Sequence, residues 1–262
     1  AEMMKHVNET AKEMGAAFNL VGKEFVDAPD KMLMYQKGLG LNGEEMAKYA
    51  KRAKTFGTSL QDQLFETANL STQMGKRFNL SSKQIAKDMK EMTADFANFG
   101  SVSQKNIAAT SVYARKLGIE IKDMMGIIEK FDNFEDAANG ASMLAQSFGM
   151  NVDAMEMMKA ESPAQQIDML RKSFFETGRS IKDLTRQERK LMEQQTGLTG
   201  AALEAAFANE NMGMSYEDIQ AAASESAENQ ITEAEAMMEM AEAIKRVIES
   251  GGGGGGGIWE RL

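Results

Sequence analysis

The sequence predicts an all-α fold, a multi-helix domain of short Gly/Ser-capped helices followed by one long acidic helix. Helix-favouring Ala, Met, Glu, Lys and Gln are abundant, whereas the 262 residues include only two prolines and show no convincing period-2 strand. Apolar residues also recur at helical spacing, as in Ile85, Met89 and Met92. These observations together predict helices that pack on one another around a real core.

A repeated hexapeptide marks the predicted joints between helices. Gly-x-Ser-apolar-x-Asp occurs at 57–62, 178–183 and 213–218, and residues 118–123 keep everything except the serine. Glycine closes a helix in the left-handed conformation, and serine two residues later caps the next helix. The aspartate then meets the positive end of the helix dipole. We interpret the motif as helix punctuation and not as a ligand-binding fingerprint.

Further helix starts follow the capping-box pattern, in which Asn, Ser or Thr precedes Glu or Gln by three residues. Such boxes begin at Asn42, Ser81, Ser162 and Thr185. Together, these signals predict helices at residues 2–26, 30–38, 43–56, 60–74, 82–98, 104–117, 121–131, 134–147, 152–160, 163–177, 186–196, 200–210 and 216–249.

The same pattern predicts three regions of different character. Residues 1–212 form a compact helical domain, because most of its helices are too short to be stable alone. Residues 213–250 form one long acidic helix and a possible coiled coil. Residues 251–262 form a poly-Gly tether, with seven glycines, and a short tail anchored by Trp259. We interpret that tail as a docking peptide or the start of a further module.

Several kinds of chemistry have no support in the sequence. The chain has no cysteine, which excludes disulfides and thiolate metal sites. Its one histidine, His6, lies near the N-terminus without a triad or metal pattern around it. Phosphate-binding loops, zinc-protease motifs and nucleophile elbows do not occur. We therefore predict no catalytic, cofactor-binding or metal residues, no cofactor, and no transmembrane segment, since no apolar run reaches eighteen residues.

Negative charge is concentrated in one segment. Residues 201–250 carry eleven acidic and two basic side chains, a net charge of −9, which equals the net charge of the whole chain. This distribution argues against specific nucleic-acid binding, which needs a basic face. A basic cluster is interleaved with acidic residues and is typical of an ordinary charged surface; it comprises Arg171, Lys172, Arg179, Lys182, Arg186, Arg189 and Lys190.

The acidic segment also carries an apolar stripe with spacings of three and four residues, as in a coiled-coil seam. We predict that this stripe is an oligomer or partner seam; it comprises Ala227, Ile231, Ala234, Met238, Ala241, Ile244 and Ile248. An acidic flank recurs every seven residues beside it, at Glu228, Glu235, Glu242 and Glu249. The flank is either a solvated face, a surface that docks onto a basic partner, or a register-setting feature of an oligomer.

Part of the chain resembles a known family. Within residues 131–210, the stretch ASMLAQSFGMNVDAMEMMKAESPAQQIDMLRKSFFETGRSIKDLTRQERKLMEQQTGL is similar to segments of tail tape-measure and related tail structural proteins of contractile-tailed bacteriophages. The resemblance implies a non-enzymatic, all-helical virion protein of the tail lumen or baseplate, present in the host cytoplasm during assembly. It also implies contacts with tail-tube and baseplate hub proteins, homo-oligomer formation, and roles in tail assembly, length determination and genome ejection.

The chain departs from that family in one respect. A molecular ruler requires long uninterrupted helix, whereas residues 27–213 are broken at short intervals. We therefore interpret the chain as a fragment whose compact region leads, through residues 216–249, into an elongated part.

Other functions remain open at this point. The main rival is a helical protein–protein interaction adaptor, because 23 methionines suggest adaptable contact surfaces. A lipid-binding helical protein is less favoured because helices that bind membranes are usually basic. An enzyme is the least favoured.

Overall fold

The computed structural model describes residues 2–249, and every regular element in that range is helical, which confirms the all-α prediction. Short 3₁₀ turns lie at Gly15–Ala17, Ile121–Met124, Ile181–Asp183 and Asn209–Asn211. The α-helices of the described range are α1 (Glu2–Met14), α2 (Phe18–Asp27), α3 (Pro29–Gly38), α4 (Gly43–Phe56), α5 (Leu60–Phe78), α6 (Ser82–Ala94), α7 (Phe96–Phe99), α8 (Gln104–Leu117), α9 (Met125–Phe131), α10 (Phe134–Phe148), α11 (Ala154–Lys159), α12 (Pro163–Glu176), α13 (Arg186–Thr196), α14 (Gly200–Ala206), α15 (Tyr216–Glu228) and α16 (Glu233–Glu249).

The repeated hexapeptide adopts more than one local structure. In its first copy, Gly57 has a left-handed backbone with φ of 66°, and the Ser59 hydroxyl accepts a hydrogen bond from the Asp62 N–H at 2.9 Å. The second copy leads into a 3₁₀ turn, Ile181–Asp183, instead of an α-helix. The third copy has no left-handed backbone at Gly213. The first and third copies therefore lead into α5 and α15, whereas the second copy does not lead into an α-helix.

The chain folds into two compact units. Among the described residues, the first unit comprises 2–100 together with 226–249, and the second unit comprises 101–225. The division predicted from the sequence lies after residue 212. The structure differs because the last helix, α16, packs on α3 and α5, which come from the first hundred residues.

The core of the first unit lies between α1 to α5 and α16. Its buried side chains include Phe25, Met32, Met46, Leu64 and Met240, and Gly38 in α3 leaves the space that Met240 occupies. Helices α5 and α6 of the same unit form a helical hairpin, and α7 packs on α6.

The second unit is built around α8, which is buried on all sides over residues 106–114. Helix α12 packs on α8 and α9, and α10 packs on α9, α11 and α13. The backbone of α9 touches the turn after α13 at Gly126 and Gly197, where neither residue has a Cβ atom. This close packing holds α13 against the rest of the second unit. The opposite side of α13 is exposed.

Candidate functional site: the outer face of α16

A break divides the predicted helix 216–249 into α15 and α16. Thr232 caps α16, because its hydroxyl accepts from the Glu235 N–H at 3.2 Å and the Glu235 carboxylate accepts from the Thr232 N–H at 2.8 Å. Asn69 of α5 holds the connecting segment: its amide donates to the Ser226 carbonyl and its carbonyl oxygen accepts from the Ile231 N–H, each at 3.0 Å. Thr232-x-x-Glu235 is a capping box, so the sequence contains a signal for this break that the continuous stripe obscured.

Helix α16 is amphipathic, with one side packed into the first unit. Ala236, Met240 and Ile244 are buried on that side. Ion pairs at its edges join Glu233 to Lys31 of α3 at 2.6 Å and Glu239 to Lys76 of α5 at 2.9 Å. These contacts determine the rotation of α16 about its own axis.

The residues of the predicted seam do not share one face. Ala234, Met238 and Ala241 are exposed, with Met238 at 66%, whereas Ile244 is buried. Ala227 and Ile231 are half-buried at or near the break, and the side chain of Ile248 lies outside the described residues. The stripe loses its phase because the connection between α15 and α16 is not helical, so residues before and after it follow different helix axes.

The predicted acidic flank lies on the exposed side of the chain. Glu228 and Glu235 are exposed, and hydrogen bonds from the Thr232 N–H and hydroxyl hold the pKa of Glu235 below its usual value. Glu242 pairs with Arg246 at 3.1 Å, and Glu249 with Lys245 at 3.8 Å. Trp259, the predicted tail anchor, lies outside the described residues.

We use the name outer face of α16 for the exposed side formed by Ala234, Met238, Ala241, Glu242 and Glu249. The two alanines leave space for another helix to approach closely, and the unbranched thioether of Met238 adapts to the surface that it meets. The two carboxylates lie beside the apolar strip, each paired with a basic side chain of the same helix. Chemically, this face is suited to protein–protein contact.

The basic cluster that sequence analysis assigned to the surface divides into buried and exposed members. Arg171 is only 1% exposed, which corrects the prediction for this residue. Its guanidinium donates to the carbonyls of Ala206 at 2.7 Å, Met214 at 3.2 Å, and Asn211. Sequence analysis missed this role because the accepting carbonyls lie more than thirty residues further along the chain.

Asp168 and Tyr113 complete the surroundings of Arg171. The guanidinium lies 3.3 Å from Asp168 Oδ1, and the Tyr113 hydroxyl donates to that same oxygen at 2.8 Å. Burial raises the pKa of Tyr113 far above its usual value, so the phenol stays protonated. This network ties α8 and α12 to the segment that follows α14, which is a structural role.

Exposed members of the basic cluster form a stripe on α13, which we call the basic face of α13: Arg186, Arg189 and Lys190, with Glu193 at its end. These residues and Leu184 line an open cavity of about 610 Å³. Arg189 pairs with Glu204 at 2.6 Å, and Glu193 accepts from the Gly200 N–H at 2.8 Å. Within residues 2–249, Arg186 and Lys190 form no ion pair, and both are exposed.

The described residues contain no group of three or more His, Asp or Glu side chains arranged to hold a metal ion. His6 lies 3.5 Å from Glu9 on α1, half-exposed. None of the helices between residues 2 and 249 has the length and apolar character needed to cross a bilayer.

Comparisons with known proteins give no relative: no family model, curated protein or solved structure matches this chain.

Proposed function

We propose that this chain is a non-enzymatic structural protein of a phage tail, a tape-measure fragment of the tail tube or baseplate. Its roles there are tail assembly, length determination and genome delivery. The observation that carries the proposal is the outer face of α16, where Met238 is exposed on a helix whose other side is already packed. The resemblance of residues 131–210 to tail tape-measure proteins supplies the biological setting.

The outer face of α16 favours assembly over chemistry. Met238 is exposed by 66% although it lies on a helix that buries Met240 two residues later. A large apolar side chain between two alanines is suited to insertion into a groove on a partner, where such anchors contribute most of the binding energy. Partners on this proposal are tail-tube and baseplate hub proteins and further copies of the chain.

The test is co-expression of the full chain with the tail-tube and baseplate hub proteins of a contractile-tailed phage. We expect a complex of defined mass by light scattering, and we expect Met238→Glu to abolish it with helical circular dichroism unchanged. Met212→Glu is the matched control, because Met212 is also exposed but lies outside α16. A chain that binds neither protein contradicts the proposal.

Substitution is preferable to truncation in this test. Ending the chain at residue 211 would remove α16 and with it the buried Ala236, Met240 and Ile244. The first unit would then lose part of its core, and a change of mass would report unfolding instead of a lost contact.

A second candidate function is a protein–protein interaction adaptor with methionine-rich contact surfaces. It is favoured by exposed apolar side chains on α10 and α11, namely Phe134, Met143, Met155 and Met158. Acidic Glu135, Asp136 and Glu156 lie on the same two helices, so the preferred ligand would be a basic amphipathic helix. An adaptor would stay monomeric until given such a peptide, whereas a tail component would assemble with tail proteins.

A further inference from the structure

We infer that Met238 is an oxidation site that controls the outer face of α16. A peroxide converts its thioether to a sulfoxide, which weakens the contact with a partner and leaves the fold intact. The inference rests on the proposed function in one respect, since it takes the outer face of α16 as a contact surface. It adds a modification site to that surface and a means by which an oxidant regulates it.

Burial distinguishes two methionines that lie two residues apart on α16. Met238 is 66% exposed, more than any other methionine whose side chain the structure describes, whereas Met240 is 6% exposed. The Met240 sulfur lies against α3, where a Cβ atom at Gly38 would be 2.5 Å from it. A peroxide in solution therefore reaches the sulfur of Met238 directly, and it reaches that of Met240 only when the helix packing opens.

The neighbours of Met238 on the helix surface leave its thioether uncovered. Four side chains lie three or four residues from it, the spacing at which side chains meet on a helix: Ala234, Glu235, Ala241 and Glu242. The two alanines are too short to cover a methionine sulfur. The carboxylate of Glu235 accepts from the Thr232 hydroxyl at 2.9 Å, and that of Glu242 pairs with Arg246 at 3.1 Å. The sulfur is therefore open to solvent.

Oxidation by hydrogen peroxide is a two-electron step. A lone pair of the Met238 sulfur attacks one peroxide oxygen, so a sulfur–oxygen bond forms as the oxygen–oxygen bond breaks. The departing hydroxide takes the proton of the transferred oxygen and leaves as water. Sulfur is oxidised and the peroxide is reduced. The product is a methionine sulfoxide, which sulfoxide reductases return to the thioether with a thiol as the reductant.

The sulfoxide changes the contact more than it changes the fold. Its oxygen is a hydrogen-bond acceptor that faces water in the free chain, because the side chain of Met238 is exposed. In an apolar groove of a partner, the same oxygen would lose that water without gaining a donor, which is unfavourable. We expect binding to weaken by about tenfold or more. An oxygen on Met240 would instead have to fit beside Gly38 in the core, so oxidation there would destabilise the first unit.

The first experiment maps oxidation in the full chain. The chain is treated with hydrogen peroxide to low conversion, and tandem mass spectrometry locates the added oxygen atoms. We expect Met238 to be oxidised at least about tenfold faster than Met240, with helical circular dichroism and the denaturation midpoint unchanged. Equal rates at the two residues, or loss of helix as Met238 is oxidised, overturn the inference.

The second experiment measures binding of the oxidised chain, freed of peroxide, to the tail-tube and baseplate hub proteins. Oxidised wild type should bind about tenfold or more weakly than the untreated chain, and should recover after treatment with sulfoxide reductases. Peroxide should have the same effect on Met212→Leu, the matched control, because Met212 is also exposed but lies outside α16. It should have no effect on the affinity of Met238→Leu.

The outcomes separate this inference from the proposed function. An oxidised chain that binds as tightly as the untreated chain overturns the inference and leaves the proposed function standing, as does a Met238→Leu variant that loses affinity after peroxide treatment. A chain that binds neither protein before oxidation contradicts the proposed function and the regulation of that contact, whereas selective oxidation of Met238 would still establish the modification site.

Discussion

Within residues 2–249, each of the two compact units contains one fully buried arginine, and each of these arginines donates to the carbonyl at the end of a helix. In the first unit, Arg52 of α4 donates to the Phe99 carbonyl at the end of α7, at 3.0 Å. In the second unit, Arg171 donates to three carbonyls between residues 206 and 214 and lies beside Asp168.

Both arginines show how a fold of short helices can provide hydrogen-bond donors for the carbonyls at its helix ends. The last carbonyls of every helix lack a partner within that helix, and burying them unpaired costs free energy. Phe99 ends α7, and Ala206 ends α14. A guanidinium has five N–H donors in a rigid plane, so one buried arginine can serve several carbonyls at once. In the second unit, the carbonyls that Arg171 serves include two from the segment 207–215, which contains no α-helix.

The largest effect is expected from Arg171→Met. It removes the buried cation beside Asp168 and the donor to three carbonyls, and should lower the free energy of unfolding of the second unit by about 3–5 kcal/mol. Arg52→Met, which removes the donor to the Phe99 carbonyl, should lower the free energy of unfolding of the first unit by about 1–3 kcal/mol. Hydrogen exchange measured peptide by peptide separates the two units. A loss of protection mainly in the unit that does not carry the substitution would contradict this assignment, and Arg186→Met, at an exposed site, should change little.

Next in size is Met240→Ala, which removes a buried side chain from between α16 and α3 of the first unit. The loss and the resulting cavity should lower the free energy of unfolding by about 2–5 kcal/mol. Met238→Ala, two residues earlier on the outer face of α16, should change it by less than about 0.5 kcal/mol. Chemical denaturation of both variants measures this, and a larger effect at Met238 would mean that α16 is rotated from the orientation described.

Gly126→Ala should destabilise the second unit by about 1–3 kcal/mol, because the new methyl group would collide with the backbone carbonyl of Gly197. Gly140→Ala is the control within the same unit: it lies inside α10, with the nearest atom 3.7 Å from the added Cβ. That variant should gain about 0.5–1 kcal/mol, since alanine favours helix more than glycine does. Thermal unfolding gives the sign of each change, and two changes of the same sign would refute the close contact.

An effect that is absent at neutral pH, and that the two units share, concerns tyrosine ionisation. All four tyrosines are buried, Tyr35 and Tyr49 in the first unit and Tyr113 and Tyr216 in the second, and burial raises the pKa of each above the usual 10.0. The folded chain therefore keeps these protons when the unfolded chain loses them, so stability should fall as pH rises above 10.

Ultraviolet absorbance of the phenolate tests this directly. We expect no ionisation step near pH 10 while the helical circular dichroism is intact, and one step for all four residues when the chain unfolds. A step near pH 10 in the folded chain would place at least one tyrosine at the surface.

Local features of the structure could be read from the sequence. Helices at 43–56, 104–117 and 186–196 were predicted with the bounds that the structure shows. Asn42 and Thr185 explain two of these starts, because each forms a capping box with a glutamate three residues later. Such signals involve residues within one turn of each other, so they act without help from the rest of the fold.

Features of the candidate site could be predicted only in part. The composition of α16 predicts that it carries exposed carboxylates, but it does not predict which side of the helix faces the core. The predicted stripe contained Ile244, which is buried, together with Met238, which is exposed. Contact with α3 and α5 selected Met240 as the buried residue, and those helices are some 160 to 210 positions away in the sequence.

The sequence by itself therefore determined the all-α class and most of the helix bounds, since caps, helix propensity and the scarcity of proline act over a few neighbouring residues. Only the tertiary structure decided that α16 belongs with the first hundred residues, that Arg171 is buried, and that Met238 points outward. The physical reason is that burial depends on which distant surfaces meet. A helix with apolar residues on more than one side can pack in several rotations, and the most complementary partner selects one of them.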